Sequence, residues 1–403
     1  MTDPRVRRAT LVVVSSGNRG TMRGEIVRGA VGPVELPEPW WQETLPITKV
    51  LPGCHVLRLL DGEHDETGDM GGQVTYLVAH DGPIPEPLEL RPWPGRLDDH
   101  PKRLPWARVG GPTADLEWLA STVTVDPKRT PLQHRTWNLS AIWSIPVVAD
   151  RRSRGHDQVW LKCVPPFFAH ERAVLEVLAD QPIPQLIAAD GHRLLLEPMP
   201  GVDGYGPDAV EELAMVDALV DLQLCSAERL EQLLAGGVPD LRSEALVAEL
   251  SNLVGRLAPD DPLLTSFVES LPDRLALVDR LRLPNVLNHG DPHGGNCRRG
   301  TDPVLWFDWG DSFIGNPLLD VAAHHRLSDG AVTHWLKRWA IHVGADELLD
   351  VWPVLKPVSM LNMARVYQRF CDNIEPSELP YHRSDVESAL DDVRRWLTAS
   401  STR

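Results

Sequence analysis

Apolar runs rich in β-branched residues, separated by Gly, Pro and Asp, occupy the first half of the chain. Runs of this kind are typical of strands, because branched and aromatic side chains pack well on a pleated surface. They predict strands at Thr10–Ser15, Cys54–Leu60, Gln73–Ala79, Trp137–Val148, Gln158–Val164 and His192–Glu197. Short helices are predicted between them, at Glu38–Val50, Asp115–Ser121 and Phe168–Asp180.

Beyond Gly201 the apolar positions recur with helical spacing. They predict helices at Asp208–Cys225, Ala227–Ala235, Ser243–Arg256, Pro262–Arg280, Ala331–Val343, Leu348–Ile374 and Ser384–Leu397. A β-rich part followed by a helical part indicates a two-lobed plan of the α+β class. The proline-rich segment Pro83–Pro105 predicts an extended linker. We therefore expect a small α/β domain of unknown role at residues 1–110, a β-rich lobe at 111–201 and a helical lobe at 202–403.

The most informative segment begins at His289, reads HGDPHGGN, and is followed by DWGD at residues 308–311. Two short strands, at Asn296–Arg299 and Val304–Phe307, are predicted on either side of a turn containing Gly300 and Pro303. Such a hairpin brings Asn296 opposite Asp308 at its open end. An amide oxygen and a carboxylate in this arrangement suit Mg²⁺. The nearby Asp291 is then left to accept the proton of an attacking hydroxyl.

These residues resemble the HGDxHxxN and DWxD motifs of the aminoglycoside phosphotransferase and choline kinase family, whose catalytic loop is similar to that of protein kinases. The resemblance implies a two-lobed protein-kinase-like fold, with a β-rich small lobe and a helical large lobe. It also implies that Asp291 is the catalytic base, that Asn296 and Asp308 are the Mg²⁺ ligands, and that His289 braces the loop.

The same family predicts a lysine on a strand and a glutamate on the following helix. Lys162 lies within the apolar run VWLKCV, and Glu171 lies on the apolar stripe of the next predicted helix. Burying two opposite charges is reasonable if they neutralise each other and if the lysine also reaches nucleotide phosphates. The alternative is an exposed lysine and a solvated glutamate.

Three further nucleotide contacts are implied by the resemblance. The segment LLLEPMPG resembles the hinge between lobes, where the carbonyl of Glu197 and the amide of Met199 would contact the base of ATP or GTP. Ser140 is a candidate for covering the phosphates, because no glycine-rich loop precedes Lys162.

The acceptor site is the least defined part. Asp372 and Glu375 lie in a segment rich in aromatic and acidic residues that could hold a cationic or sugar-like acceptor, and Asp311 could hold metal or substrate. The simpler interpretations are an ordinary amphipathic helix end for the first two and a loop-shaping role for Asp311.

Composition narrows the class of protein. A net charge of −17 disfavours a nucleic-acid partner, since phosphate backbones need a basic footprint. No run of about 18 apolar residues predicts a membrane span, and the first residues have no signal-peptide pattern. The 5 scattered cysteines argue against zinc and for reduced thiols, so we expect a cytoplasmic protein.

We therefore expect a phosphotransferase that moves the γ-phosphate of ATP or GTP, with Mg²⁺, to a hydroxyl of a small molecule. An antibiotic, and hence a role in antibiotic resistance, or an amino-sugar-like metabolite are the expected acceptors. The alternatives are a protein-kinase-like regulator and a nucleotide-binding module without small-molecule kinase activity. A protein kinase would need a longer segment after Asp308 than residues 312–320 provide.

Overall fold

A computed structural model describes residues 6–15, 26–37, 40–63, 72–322, 327–343 and 345–401. The chain divides into two compact units. The first unit comprises Met1–Pro166, Leu186–Pro198 and Phe370–Ser384. The second unit comprises Phe167–Gln185, Met199–Arg369 and Asp385–Arg403. The predicted division at residues 110 and 201 stays a prediction.

The N-terminal part of the first unit is a four-stranded sheet with one short helix. Its strands are β1 (Arg7–Val14), β2 (Val27–Leu36), β3 (His55–Gly62) and β4 (Gly72–Ala79), in the order β2-β1-β4-β3. β1 and β4 are parallel, and the two outer pairs are antiparallel. Helix α1 (Leu45–Val50) connects β2 to β3 and packs Ile47 into the core of the sheet.

A five-stranded antiparallel sheet follows in the same unit. Its strands are β5 (Leu132–Thr136), β6 (Ala141–Pro146), β7 (Gln158–Cys163), β8 (Leu186–Asp190) and β9 (Arg193–Leu196), in the order β5-β6-β7-β9-β8. Helix α2 (Gly111–Thr122) contributes Leu119 to an apolar core with Trp143, Leu161 and Leu195. Apolar side chains at alternate positions thus give β6 and β7 one face toward α2.

A buried carboxylate ties α2 to this sheet. Asp115 Oδ1 accepts hydrogen bonds from His192 Nε2 over 2.9 Å and from Arg193 Nε over 2.8 Å. The thiol of Cys163 donates to Asp115 Oδ2 over 3.5 Å. Since successive side chains of a strand point to opposite faces, Lys162 lies on the face of β7 away from Asp115.

Helices dominate the second unit. It contains α3 (Glu171–Val177), α4 (Ala209–Ser226), α5 (Leu230–Ala235), α6 (Ser243–Leu257), α7 (Pro262–Glu269), α8 (Leu271–Asp279), α9 (Leu318–Ala322) and α10 (Asp329–Ala340). The last two helices, α11 (Ala345–Asn373) and α12 (Pro380–Ser401), contribute residues to both units. Asp208 begins α4 with a capping box, accepting from Val210 N and Glu211 N.

Two small sheets carry the loops of the second unit. β10 (Val202–Asp203), β12 (Cys297–Arg299) and β13 (Leu305–Trp306) form one, and β11 (Val286–Asn288) pairs with β14 (Phe313–Gly315) in the other. The predicted hairpin is confirmed, because β12 and β13 pair antiparallel with Cys297 opposite Trp306.

Most predicted elements are present, with three differences. The helix predicted at Glu38–Val50 begins only at Leu45, residues 38 and 39 lying outside the described part. The helix predicted at Pro262–Arg280 is two helices, since Pro272 lies in the first turn of α8 and cannot donate the backbone bond that would continue α7. Seven elements of the described part were not predicted, namely β2, β5, β8, β10, β11, β14 and α9. Among the described residues, no helix has both the length and the apolar character to cross a bilayer.

Candidate active site

The loop that follows β11 is held by the buried carboxylate of Asp320, at the start of α9. Asp320 Oδ2 accepts from His289 N over 2.7 Å, and Oδ1 accepts from Gly290 N over 2.8 Å. Gln223 Nε2, from α4, donates to Oδ2 over 3.1 Å. Burial raises the pKa of Asp320 to about 7, although these bonds oppose the shift. Asp320 therefore braces the loop.

His289 links the same loop to β13 from a fully buried position. Its Nε2 lies 2.9 Å from Phe307 O, and its Nδ1 accepts from Asp291 N over 3.3 Å. The ring packs against Trp309, with centroids 4.6 Å apart. Burial lowers the pKa of His289 to about 4, so the ring is neutral near pH 7. A neutral imidazole with Nε2 as donor and Nδ1 as acceptor satisfies both contacts.

The Asp291 carboxylate is oriented by two side chains of its own loop. Asn296 Nδ2 donates to Asp291 Oδ2 over 3.0 Å and to Asp291 O over 2.9 Å. His293 Nε2 lies 3.2 Å from the same Oδ2, while His293 Nδ1 accepts from Gly295 N over 2.9 Å. The backbone bond at Nδ1 requires the proton on Nε2, which points the donor at Asp291. His293 was not singled out from the sequence, although its place in the HGDPHGGN segment was the available signal.

In the hairpin, Asn296 pairs with Phe307, so the register differs by one residue from the predicted pairing of Asn296 with Asp308. Phe307 N donates to Asn296 O over 2.9 Å, which places Asp308 beside this pair. Asp308 has a φ of 67°, a left-handed conformation that turns the chain sharply after β13. Because both bonds donated by the Asn296 amide use Nδ2, its Oδ1 is the atom that can coordinate a cation. Amide and carboxylate oxygens are the donors Mg²⁺ prefers, so the residues fit this ion.

Asp311 lies against the base of the loop. Gly290 has a φ of 88°, and a Cβ atom there would lie 2.1 Å from Asp311 O, so only glycine allows this approach. Asp311 Oδ1 is buried and has no hydrogen-bond partner among the described residues. Burial and the neighbouring Asp291 raise the pKa of Asp311 to about 8, while Arg369 opposes the shift. This oxygen is a second candidate contact for metal or acceptor.

Glu171 approaches the DWGD segment from α3. Its side chain is buried, and Oε1 accepts from Trp309 N over 3.3 Å. The neighbouring Phe168 ring packs directly on Gly310, where an added Cβ atom would lie 2.9 Å from the ring. The expected pairing of Glu171 with Lys162 stays a prediction. Lys162 is half-buried on β7, opposite Ile142 and Leu194.

Two further residues expected to contact the nucleotide, Ser140 and Glu197, lie in the first unit. The Glu197 carboxylate, just after β9, pairs with Arg154 Nη1 at 2.6 Å and His156 Nε2 at 3.1 Å. Ser140 is buried, and its Oγ accepts from the Trp137 indole over 2.8 Å. The backbone contacts expected of Glu197 and Met199, and the phosphate contact expected of Ser140, stay predictions.

The two acceptor candidates near the end of α11 differ in environment. Asp372 is exposed on α11. Glu375 is buried, and its Oε2 forms an ion pair with Arg103 Nη2 at 2.9 Å. Contact of either residue with an acceptor stays a prediction.

The chain is similar to known proteins both in sequence and in fold. Residues 162–358 match the phosphotransferase enzyme family, whereas none of the curated proteins matches the chain. The ethanolamine kinase of Plasmodium vivax is 12% identical, with a TM-score of 0.51 and coverage of 70% of this chain and 88% of that chain.

Two aminoglycoside-modifying enzymes are similar in structure. The GDP and kanamycin complex of APH(2")-IIia is 15% identical, with a TM-score of 0.51 and coverage of 72% of this chain and 99% of that chain. The GDP complex of wild-type aminoglycoside 2'-phosphotransferase-IIIa is 16% identical, with a TM-score of 0.50 and coverage of 72% and 98%. Identities this low establish the fold alone.

The α+β class and the protein-kinase-like fold are therefore confirmed. The expected family, and with it an enzyme of the small-molecule kinase type, is confirmed by the family match. Over residues 162–358, this chain belongs to the phosphotransferase enzyme family.

Proposed function

We propose that the protein transfers the γ-phosphate of ATP or GTP to a hydroxyl group of a small molecule, with Asp291 as the base. The observation that carries the proposal is the carboxylate of Asp291, held at Oδ2 by Asn296 and His293 in a loop braced by Asp320. A fixed carboxylate beside two candidate metal ligands is what phosphoryl transfer requires, because its catalysis is mostly positioning and charge stabilisation.

In the proposed reaction Asp291 orients the acceptor hydroxyl and takes its proton as the oxygen attacks the γ-phosphorus. The bond between this phosphorus and the bridging oxygen breaks, and the nucleoside diphosphate leaves with the bond electrons. Asn296 and Asp308 would hold Mg²⁺, and the ion would neutralise part of the charge on the phosphates. Lys162 would contact the phosphates, while the Glu197 carbonyl and the Met199 amide would contact the base.

The acceptor is proposed to be an antibiotic or an amino-sugar-like metabolite. Two similar structures are complexes with GDP, and one of them also contains kanamycin, which supports a nucleotide co-substrate and an amino-sugar acceptor class. A screen of ATP and GTP consumption against a panel of hydroxylated small molecules tests the proposal. Mass spectrometry should then detect the gain of one phosphate on the acceptor. Nucleotide binding with no turnover on any acceptor would favour the binding-module alternative.

Asp291→Asn should lower kcat by roughly 10²–10⁴ while leaving nucleotide affinity nearly unchanged, because the base contacts the acceptor and not the nucleotide. Turnover and calorimetric titration with the Mg²⁺-nucleotide measure the two quantities. Asp260→Asn, at an exposed position, is the matched control. Retention of more than about a tenth of wild-type turnover would remove Asp291 from the role of base.

Asp308→Ala should weaken nucleotide binding and turnover together, since this carboxylate is the proposed link between metal and phosphates. Titration with and without Mg²⁺ separates this outcome from a structural effect. If the variant keeps the Mg²⁺ dependence of the wild type, Asp308 is not a metal ligand.

A further inference from the structure

The turn between β5 and β6, residues 137–140, has no glycine and is closed by its own bonds. Trp137 N donates to Ser140 O over 3.0 Å, and the Trp137 indole donates to Ser140 Oγ over 2.8 Å. Asn138, Leu139 and Ser140 are all buried. This turn is therefore a fixed structure, unlike the glycine-rich loop that covers phosphates in protein kinases.

Glu378 holds this turn from the segment between α11 and α12. Asn138 N donates to both carboxylate oxygens of Glu378, over 3.1 and 2.9 Å. In the opposite direction, Glu375 N donates to Asn138 Oδ1 over 3.2 Å. Glu378 is 0% exposed, and a carboxylate this deep is costly unless it is hydrogen-bonded. An apolar side chain would fill the space at lower cost, so the acid indicates a requirement for position.

A buried ion pair fixes the same segment on its other side. Arg103, from the proline-rich stretch, donates from Nη2 to Glu375 Oε2 over 2.9 Å and from Nε to both Glu375 oxygens over 3.3 and 3.2 Å. Each side chain is 7% exposed. Such a bidentate, desolvated pair restricts both partners to one geometry. We call Arg103, Glu375 and Glu378 the clamp.

Aromatic rings support the clamp where the chain enters α12. His382 packs against Trp137, with centroids 5.8 Å apart, and Tyr381 stacks on Trp41 at 4.7 Å. The guanidinium of Arg135 lies over the Trp137 ring at 5.7 Å. The turn is thus held through backbone, carboxylate and ring contacts by residues far from it in sequence.

We propose that the clamp, and Glu378 above all, positions the turn 137–140 for contact with the phosphates of the nucleotide. The inference rests on the proposed function, in which this turn covers the phosphates. Because Glu378 acts through Asn138, it is a positioning residue and not a catalytic one. Loss of the clamp should raise the KM for nucleotide and leave the KM for acceptor unchanged.

Glu378→Ala and Glu378→Gln, in the full chain, test the proposal. Alanine removes both acceptor oxygens, so the nucleotide KM should rise roughly tenfold, the equivalent of about one lost hydrogen bond. Glutamine keeps one oxygen for Asn138 N and should restore the KM to within about threefold of the wild type. Asp115→Asn is the matched control, because it disturbs another buried carboxylate of the first unit, on the opposite face of β7 from Lys162.

The thermal unfolding midpoints of all three variants distinguish an effect on the position of the turn from an effect on the stability of the protein. A lowered midpoint with an unchanged nucleotide KM in Glu378→Ala would overturn the proposal, and so would equal rises in the nucleotide and acceptor KM. If Glu378→Ala does not fold, Arg103→Lys decides, because lysine cannot form the bidentate pair with Glu375. A nucleotide KM equal to that of Asp115→Asn would then overturn the proposal. A wild-type protein that consumes no nucleotide would refute the proposed function itself, and this inference with it.

Discussion

Single carboxylates in this protein differ in what they do because of the groups they face. Asp291 faces two side-chain donors of its own loop, whereas Asp320 faces two backbone amides and Gln223. A carboxylate that accepts backbone bonds fixes the path of the chain, and one that faces side chains keeps a fixed orientation toward a ligand. The sequence motif predicted the role of Asp291, whereas the contacts of Asp320 are known only from the structure.

Asp320→Ala should lower both stability and kcat, because it leaves two backbone N–H groups of the catalytic loop buried without acceptors. The expected loss of stability is about 1–3 kcal/mol per unsatisfied group. Urea denaturation and turnover measure the two effects. Asp320→Asn keeps one acceptor oxygen, so its stability and kcat should lie between those of the alanine variant and the wild type. A fully active alanine variant would show that Asp320 does not brace the loop.

The motif residues could be predicted from the sequence, whereas the contact between Glu378 and Asn138 could not. Asp291, Asn296 and Asp308 fall within two motifs that are close in sequence, so the expectation that they meet followed from the hairpin between the motifs. Glu378 and Asn138 are 240 positions apart, and no local pattern relates them. Glu378 was not singled out from the sequence, because its burial depends on tertiary contacts that no local pattern reveals.

Strands with strong β-branched patterns, such as β4 and β7, were predicted nearly to the residue. β2 contains two glycines and a proline, and β5 reads LQHRT, so neither resembles a strand in isolation. β5 is a strand because of its neighbours, since one side pairs with β6 and the other accepts a bond from Thr44 N and donates one to Gln42 O. Tertiary context outweighs intrinsic preference at such edges.

The hairpin β5–β6 should give the protein a pH-dependent stability through Glu378. Burial raises the pKa of Glu378 to about 8 from an ordinary value of 4.5. Folding therefore favours the protonated acid, so the stability linked to it is full below pH 4.5 and is lost as the pH rises toward 8. Glu378→Gln cannot ionise, and its free energy of unfolding should fall less than that of the wild type over this range.

Urea denaturation of wild type and Glu378→Gln at several pH values measures the difference. Glu375, which lies close and carries the same charge, also raises the pKa of Glu378, whereas its bonds to Asn138 lower it. Parallel stability profiles for the two proteins would show that Glu378 keeps its charge throughout.

At the scale of the whole molecule, the N-terminal sheet and the five-stranded sheet share one unit. The Gln133 side chain, from β5, donates to Val56 O and accepts from Val56 N, both over 2.8 Å. Backbone bonds run from Thr44 N to His134 O and from Thr136 N to Gln42 O. These contacts connect residues on the two sides of the proline-rich segment, which the sequence pattern predicted to be an extended linker.

Removal of residues 1–110 should therefore destabilise what remains, because it exposes the edge of β5 and removes the Arg103 partner of Glu375. We expect the truncated protein to aggregate or to lose nucleotide affinity. Size-exclusion chromatography and nucleotide-dependent thermal shift test this. A monomeric truncated protein with wild-type affinity would instead support the boundary predicted near residue 110.

The clamp connects two segments of the chain that the ribosome synthesises at different times. Asn138 leaves the ribosome 240 residues before Glu378, roughly 10–50 s earlier at ordinary elongation rates. During that interval the nascent chain already contains Lys162, Asp291 and Asp308, but the turn 137–140 lacks the carboxylate that holds it. Competence for nucleotide would thus be acquired late, and a chain truncated before residue 378 would contain the whole catalytic motif without the means to use it.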